Sequence, residues 1–267
     1  MAFRNAVLAL AAGAMPLAAL GQEAPPKPFP QFEAKRIKPP APGTGNRITV
    51  QIEPEPETAA LPLDTPGKEA VPAAGRYGWF WDKIAPGLEN AGPGRLDDAL
   101  QALTGAKNPA APRLQLMQEI AQQRGVQILT ESAGTNVSPA LVLAVIAIES
   151  AGRADATSAA GAQGLMQLMP DTAARFGVTD ALEAQQNISG GIRYLDWLMG
   201  EFGGDPMLVL AGYNAGEGAV RSHKGVPPFA ETRDYVPKVL AAYNVARGLC
   251  MTPPQLISDG CVFRVMK

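Results

Sequence analysis

A chain of 267 residues, 46% hydrophobic and 18% charged, is long enough to bury one sizeable core and too apolar to stay disordered over most of its length. Its formal net charge of −2 excludes the basic surface that nucleic-acid binding requires. With one histidine and two cysteines that form no Cys-x-x-Cys pair, no metal site and no cofactor are expected.

Residues 1–21 carry one charge, Arg4, then an apolar run from Ala6 to Leu20 that ends in Ala19-Leu20-Gly21. That pattern reads as a secretory signal peptide with a small-residue cleavage site, and Gly13 and Pro16 break the run too early for a membrane span. No cysteine lies near the cleavage site, so a lipoprotein is not expected. Loss of Arg4 with the leader takes the formal charge from −2 to −3. Residues 22–75 hold 12 prolines and two aromatics, Phe29 and Phe32. Such a segment buries too little apolar surface to offset chain entropy, and it reads as an extended, partly polyproline II arm. The arm is either a passive tether or a docking peptide for an envelope protein partner, and Arg47–Ile52 adds a weak strand pattern.

Residues 76–124 form a lead-in. Tyr77-Gly78-Trp79-Phe80-Trp81 is the densest aromatic cluster, and it reads as a packing anchor in preference to a sugar-stacking platform. Asp97–Leu103 has the pattern of a short amphipathic turn. Arg113–Thr130 is a longer helix, with Leu114, Met117, Ile120 and Ala121 at helical spacing. Gly134 and Asn136 then interrupt the chain.

Ser138 is a natural N-cap and Pro139 suits the first helical position. From Ala140 to Ile148 every residue is apolar, which defines a helix buried on all sides. It ends in Glu149. Burial raises a carboxyl pKa, and a carboxyl protonated near neutral pH is a general acid. The alternative is that the helix simply reaches solvent there. Downstream, Asp171-Thr172 can cap a short helix ending at Gly177, Asn187 a helix over 188–202, and Asp205-Pro206 a helix over 206–212. Thr232 or Asp234 starts the last long helix, which ends near Gly248. His223, beside Arg221 and Lys224, reads as a partner for a helix C-terminus. No useful alternating strand pattern follows residue 113. The expected fold class is mainly α over 125–248, followed by a tail at 249–267. In an oxidising compartment Cys250 and Cys261 form a disulfide.

Glu149-Ser150, Ser158 and Ala160-Gly161-Ala162-Gln163-Gly164-Leu165-Met166-Gln167-Leu168-Met169-Pro170 resemble the soluble lytic transglycosylase family. Ala211-Gly212-Tyr213-Asn214-Ala215-Gly216 and Glu231-Thr232-Arg233-Asp234-Tyr235-Val236 resemble its next motifs, in its order. Two positions depart from it: Gly152-Arg153-Ala154 stands where the family has an aromatic-Asn-Pro turn, and Ala159 replaces a proline. The resemblance implies a lysozyme-like domain that acts on peptidoglycan strands in the periplasm, as a monomer. It implies Glu149 as general acid and then base, cleaving the MurNAc–GlcNAc β-1,4 bond without water to leave 1,6-anhydroMurNAc ends. Ser150, Ser158, Met166, Gln167, Tyr213, Asn214, Glu231 and Tyr235 are the implied substrate-binding residues. Gln167 would offer a donor and an acceptor to sugars, Met166 would pack the groove floor, and Tyr235 would point its hydroxyl at Glu149. Asp155 and Asp171 match no motif as a second carboxylate. A goose-type lysozyme-like hydrolase and a non-catalytic glycan-binding scaffold remain the alternatives.

Overall fold

The computed structural model describes residues 75–105 and 109–264. The signal peptide and almost all of the Pro-rich arm lie outside the described residues. The described residues are helical, with isolated β-bridges and no strand. Among them, no helix is long and apolar enough to cross a membrane.

The lead-in contains α1 (Gly78–Trp81), a 3-10 turn (Leu88–Asn90) and α2 (Arg95–Ala102). Phe80 is fully buried, with Trp81 set edge-on to it at 4.9 Å between ring centroids. The aromatic cluster is thus an anchor. Gly75 is already buried, at the nominal end of the arm, and the Arg76 N–H donates to Asp234 Oδ1 at 2.6 Å.

The anchor also answers a defect in the last helix, α9 (Ala230–Arg247), which carries Pro237 in its interior. A proline has no N–H, so the carbonyl four residues earlier loses its helical donor. That carbonyl belongs to Arg233, and the Trp81 indole N–H donates to it at 2.9 Å. The Arg233 guanidinium lies 4.8 Å from the Trp81 ring centroid, a cation–π contact.

Helix α3 (Leu114–Ser132) and α9 flank the buried helix α4 (Pro139–Glu149). The start of α4 is as read from sequence. Ser138 Oγ accepts from the Ala140 N–H at 3.3 Å, and Pro139 takes the first helical position. Every residue from Pro139 to Ala147 is buried.

Other helix starts differ from the expectation. In α5 (Pro170–Arg175) the cap position is Met169, and Asp171 is an exposed first-turn acid with no capping bond. In α6 (Ala184–Glu201) Glu183 caps, accepting from the N–H groups of Gln185 and Gln186, while Asn187 sits inside the helix with no exposed surface. Helix α9 begins two residues before Thr232, behind Phe229. In each case a residue type that favours caps sits inside the helix, two to four residues past the position before its first residue. Asp205 does cap α7 (Pro206–Ala215), accepting from the Leu208 N–H at 3.0 Å, and α7 runs three residues past the expected end. This fully buried carboxylate is also paired with Arg95 at 2.9 Å, as burial of a charge demands. After α8 (Glu217–Ser222), His223 is the C-cap residue, with Nδ1 2.9 Å from the Ala219 carbonyl. Cys250 and Cys261 are joined by a disulfide, and the tail is further held where the Tyr243 hydroxyl donates to the Leu256 carbonyl.

The Trp81 bond is open to test. Trp81→Phe leaves the Arg233 carbonyl without a donor and should cost about 1–3 kcal/mol in denaturant unfolding. Pro237→Ala in the same chain supplies a helical N–H and should recover part of that loss. If the two substitutions simply add, Trp81 does not act through this carbonyl.

Candidate active site

The site forms where the C-terminal ends of α4 and α7 meet the first turns of α9, with the loop 150–169 along one side. Glu149 is the last residue of α4 and only partly exposed. The Tyr235 hydroxyl donates to Glu149 Oε1 at 2.6 Å. Tyr235 reaches it because α9 presents residues 231 and 235 on one face, four apart.

The loop is a set of locked turns. Ser150 is buried, and its hydroxyl donates to the Leu165 carbonyl at 2.7 Å while accepting from the Gly152 N–H at 3.2 Å. Ala151 (φ 52°) and Gly152 (φ 82°) are both left-handed, and this pair reverses the chain after the end of α4. A Cβ on Gly152 would lie 2.8 Å from Ile120 Cγ1, so glycine is required there. Ser158 Oγ accepts from the Ala162 N–H at 3.0 Å, the role of a turn serine.

Gln163 and Leu168 exchange both backbone hydrogen bonds, closing a tight turn over Gly164–Gln167. Met166 is fully buried, and its carbonyl accepts from the Tyr213 hydroxyl at 2.8 Å. Gln167 is left-handed, with φ 48°. Its Nε2 donates to the carbonyls of Ala156 (3.1 Å) and Gly164 (2.8 Å). Both partners are acceptors, so both amide hydrogens are used within the protein. Gln167 therefore offers a ligand its Oε1 acceptor, and the expectation of a donor as well is corrected.

Across the groove, Asn214 Oδ1 accepts from the Thr232 hydroxyl at 2.7 Å, and its Nδ2 lies 3.4 Å from Glu231 Oε1. Glu231 is exposed. A cavity of about 260 Å³ lies here, lined by Gln167, Met169, Thr172, Tyr213, Asn214 and Gly216. A larger one of about 570 Å³, lined by Lys83, Asn90, Arg95 and Asp98, contains none of these groups.

The structure thus gathers Glu149, Tyr235, Tyr213, Asn214, Glu231 and Gln167. Ser150 and Met166 are turned into the fold: the hydroxyl of one donates to the Leu165 carbonyl, and the side chain of the other is fully buried, as a packing residue would be. Ser158 is half-buried in its own turn. Asp155 and Asp171 are exposed. Residue-type reasoning read Asn187 as a helix cap and missed that its side chain is bonded to this loop. The available signal for Asn187 was a polar residue beside the apolar stripe of α6, four residues before Gly191. Among the described residues no cluster of His, Cys, Asp or Glu could hold a metal ion.

Burial raises the Glu149 pKa from 4.5 to about 7. The Tyr235 hydrogen bond pulls it down, and the negative charge of Glu231 pushes it further up. Burial also raises the phenols of Tyr235 and Tyr213 well above the usual tyrosine value, with the Glu149 charge adding to both. Each tyrosine is therefore a neutral donor at neutral pH. A carboxyl poised near 7 beside a fixed hydroxyl donor can give up a proton and take one back.

Residues 127–236 match the family model described as Transglycosylase SLT domain. The chain is 36% identical over 149 residues to a soluble lytic murein transglycosylase of Salmonella typhimurium, covering 47% of this chain and 23% of that protein. It is 39% identical over 117 residues to a transglycosylase of Enterobacteria phage PRD1, covering 44% of this chain and 42% of that one. This chain thus spans under half the length of these curated relatives. A solved structure of the 70 kDa soluble lytic transglycosylase of Escherichia coli aligns with a TM-score of 0.47 and 26% identity, over 61% of this chain and 29% of that one.

Below pH 4.5 Glu149 is protonated whether folded or unfolded and has no effect on the pH dependence. Between 4.5 and about 7 the unfolded chain ionises while the folded one holds its proton, so stability falls as pH rises. Glu149→Gln removes that loss. Its stability relative to wild type should improve by about 1–3 kcal/mol between pH 4 and pH 8, read by chemical denaturation. Separately, Glu231→Gln removes a negative charge that holds the Glu149 pKa up. The alkaline limb of the pH–rate profile should then move to lower pH, and an unmoved limb would show that Glu231 does not act on Glu149.

Proposed function

We propose that the chain is a peptidoglycan lytic transglycosylase that cleaves the MurNAc–GlcNAc β-1,4 bond and leaves 1,6-anhydroMurNAc ends. The observation that carries this reading is Glu149, a carboxyl raised to about 7 at the end of a buried helix and hydrogen-bonded by Tyr235 at 2.6 Å. The names of the curated relatives, lytic murein transglycosylases and a phage transglycosylase, support the same class.

Protonated Glu149 gives its proton to the glycosidic oxygen as the C1–O4 bond breaks, and the GlcNAc end departs as an alcohol. The carboxylate that remains takes the proton of the muramic C6 hydroxyl. The C6 oxygen then bonds to C1 and closes the anhydro ring. No water is consumed and Glu149 ends protonated, ready for the next bond. The substrate supplies its own nucleophile, so no second enzyme carboxylate is needed, in contrast to most glycosidases. Tyr235 holds the acid in place, while Gln167 Oε1 and the Asn214 side of the groove meet sugar amides and hydroxyls. Export by the signal peptide to the periplasm, the Pro-rich arm as a tether or docking peptide, and action as a monomer complete the reading.

A hydrolytic reading draws on one observation: Glu231 acts electrostatically on Glu149 from α9 and is exposed, so it could activate water. Mass analysis of muropeptides released from purified sacculi separates the readings. Anhydro ends support transglycosylation, reducing ends support hydrolysis, and no release supports a glycan-binding scaffold. Glu149→Gln keeps the shape but removes the transferable proton, and should lower the rate about 10²–10⁴-fold while glycan binding survives. Wild-type turnover by this variant would remove Glu149 from the chemistry.

A further inference from the structure

Gln167 holds a backbone conformation that a side chain disfavours. A non-glycine residue at φ 48° is strained by about 1–2 kcal/mol, and such strain persists only where the surroundings over-determine the turn. Three helices supply that determination. From the end of α4, Ser150 donates to the Leu165 carbonyl, and from α7 Tyr213 donates to the Met166 carbonyl. From α6 comes Asn187, which has no exposed surface. Its Oδ1 accepts from the Met166 N–H at 2.7 Å. Its Nδ2 donates to the Gln163 carbonyl at 2.9 Å and to the Ala181 carbonyl at 2.8 Å.

Asn187 therefore grips the turn at both limbs, on the residue that opens it and on the residue just before Gln167. Its amide is matched to the task. Aspartate would set an anion against two carbonyl oxygens, and serine is one atom too short to reach three partners. The surroundings are cut to fit this amide. A Cβ on Gly164 would lie 2.3 Å from Asn187 Nδ2 and 2.1 Å from the Ala181 carbonyl oxygen. One turn along α6, a Cβ on Gly191 would lie 2.4 Å from Met166 Sδ. Two glycines thus clear the space in which Asn187 and Met166 hold the turn.

We propose that Asn187 is a positioning residue for catalysis: it fixes the turn that aims the Gln167 Oε1 at the glycan, without touching substrate itself. This inference rests on the proposed role of Gln167 in the groove, and the experiment separates the two.

The assay is kcat/KM on soluble, uncross-linked glycan strands, at a temperature where each variant is folded by circular dichroism. Gln167→Ala should lower kcat/KM at least tenfold. Asn187→Ser and Asn187→Asp should each lower it to a similar extent, and adding either to Gln167→Ala should cost less than threefold more, because both act through one side chain. In wild type the Gln167 side-chain amide should give a 15N–1H signal shifted by its two carbonyl partners, and in the Asn187 variants that signal should move toward the solvent-exposed position. Full activity in Gln167→Ala overturns the reading of Gln167 itself. With Gln167→Ala impaired, multiplicative losses in the double variants overturn the positioning role, as does an Asn187 variant with unchanged kcat/KM and an unmoved amide signal. If neither Asn187 variant folds, Asn187 belongs to the general core and the inference falls.

Discussion

The constraint on which the rest depends is a carboxyl group at the end of a helix with no polar face. Desolvation favours the neutral form of Glu149 and draws its pKa to about 7. A buried acid also needs a hydrogen-bond partner, and Tyr235 supplies one from α9. The partner must not ionise, because a phenolate would repel the charge that Glu149 acquires on losing its proton. Burial of Tyr235 meets that condition. The packing of α4 against α9 is thus what sets the proton affinity of Glu149.

The opposite wall is built on another principle. A short turn is held by neutral hydrogen bonds from three helices, each aimed at backbone atoms and not at side chains. Such bonds contribute modestly one by one, but leaving any one buried group unpaired is costly. The turn has few alternatives, and a strained residue can be kept in it. One wall tunes a proton affinity and the other fixes a shape.

Much of this was legible in the residues. Ser138-Pro139, the apolar run and Glu149 specify α4 through local rules, and its start is where those rules put it. The pairing of Tyr235 with Glu149, 86 positions apart, was accessible only through resemblance, since no local rule links two helices. What residue types concealed was the direction of side chains. Asn187 and Thr232 look like caps because both favour caps, and only tertiary packing decides that one enters the loop and the other binds Asn214. Gln167 lines a cavity with Tyr213 and Asn214, but both its amide hydrogens go to carbonyls that lie 3 and 11 residues before it. Ser150, adjacent to Glu149, is inward for the same reason: its hydroxyl is bonded to a carbonyl 15 residues on.

The Trp81 bond to the Arg233 carbonyl joins groups 152 positions apart. A ribosome makes the aromatic lead-in first and the proline-interrupted helix last. The indole therefore waits, without its partner, while nearly the whole domain is synthesised. Its closure adds a contact of very high sequence separation, the kind that slows the search for the native topology. Once closed, it fastens the beginning of the domain to its last helix, so that neither end can fray without the other.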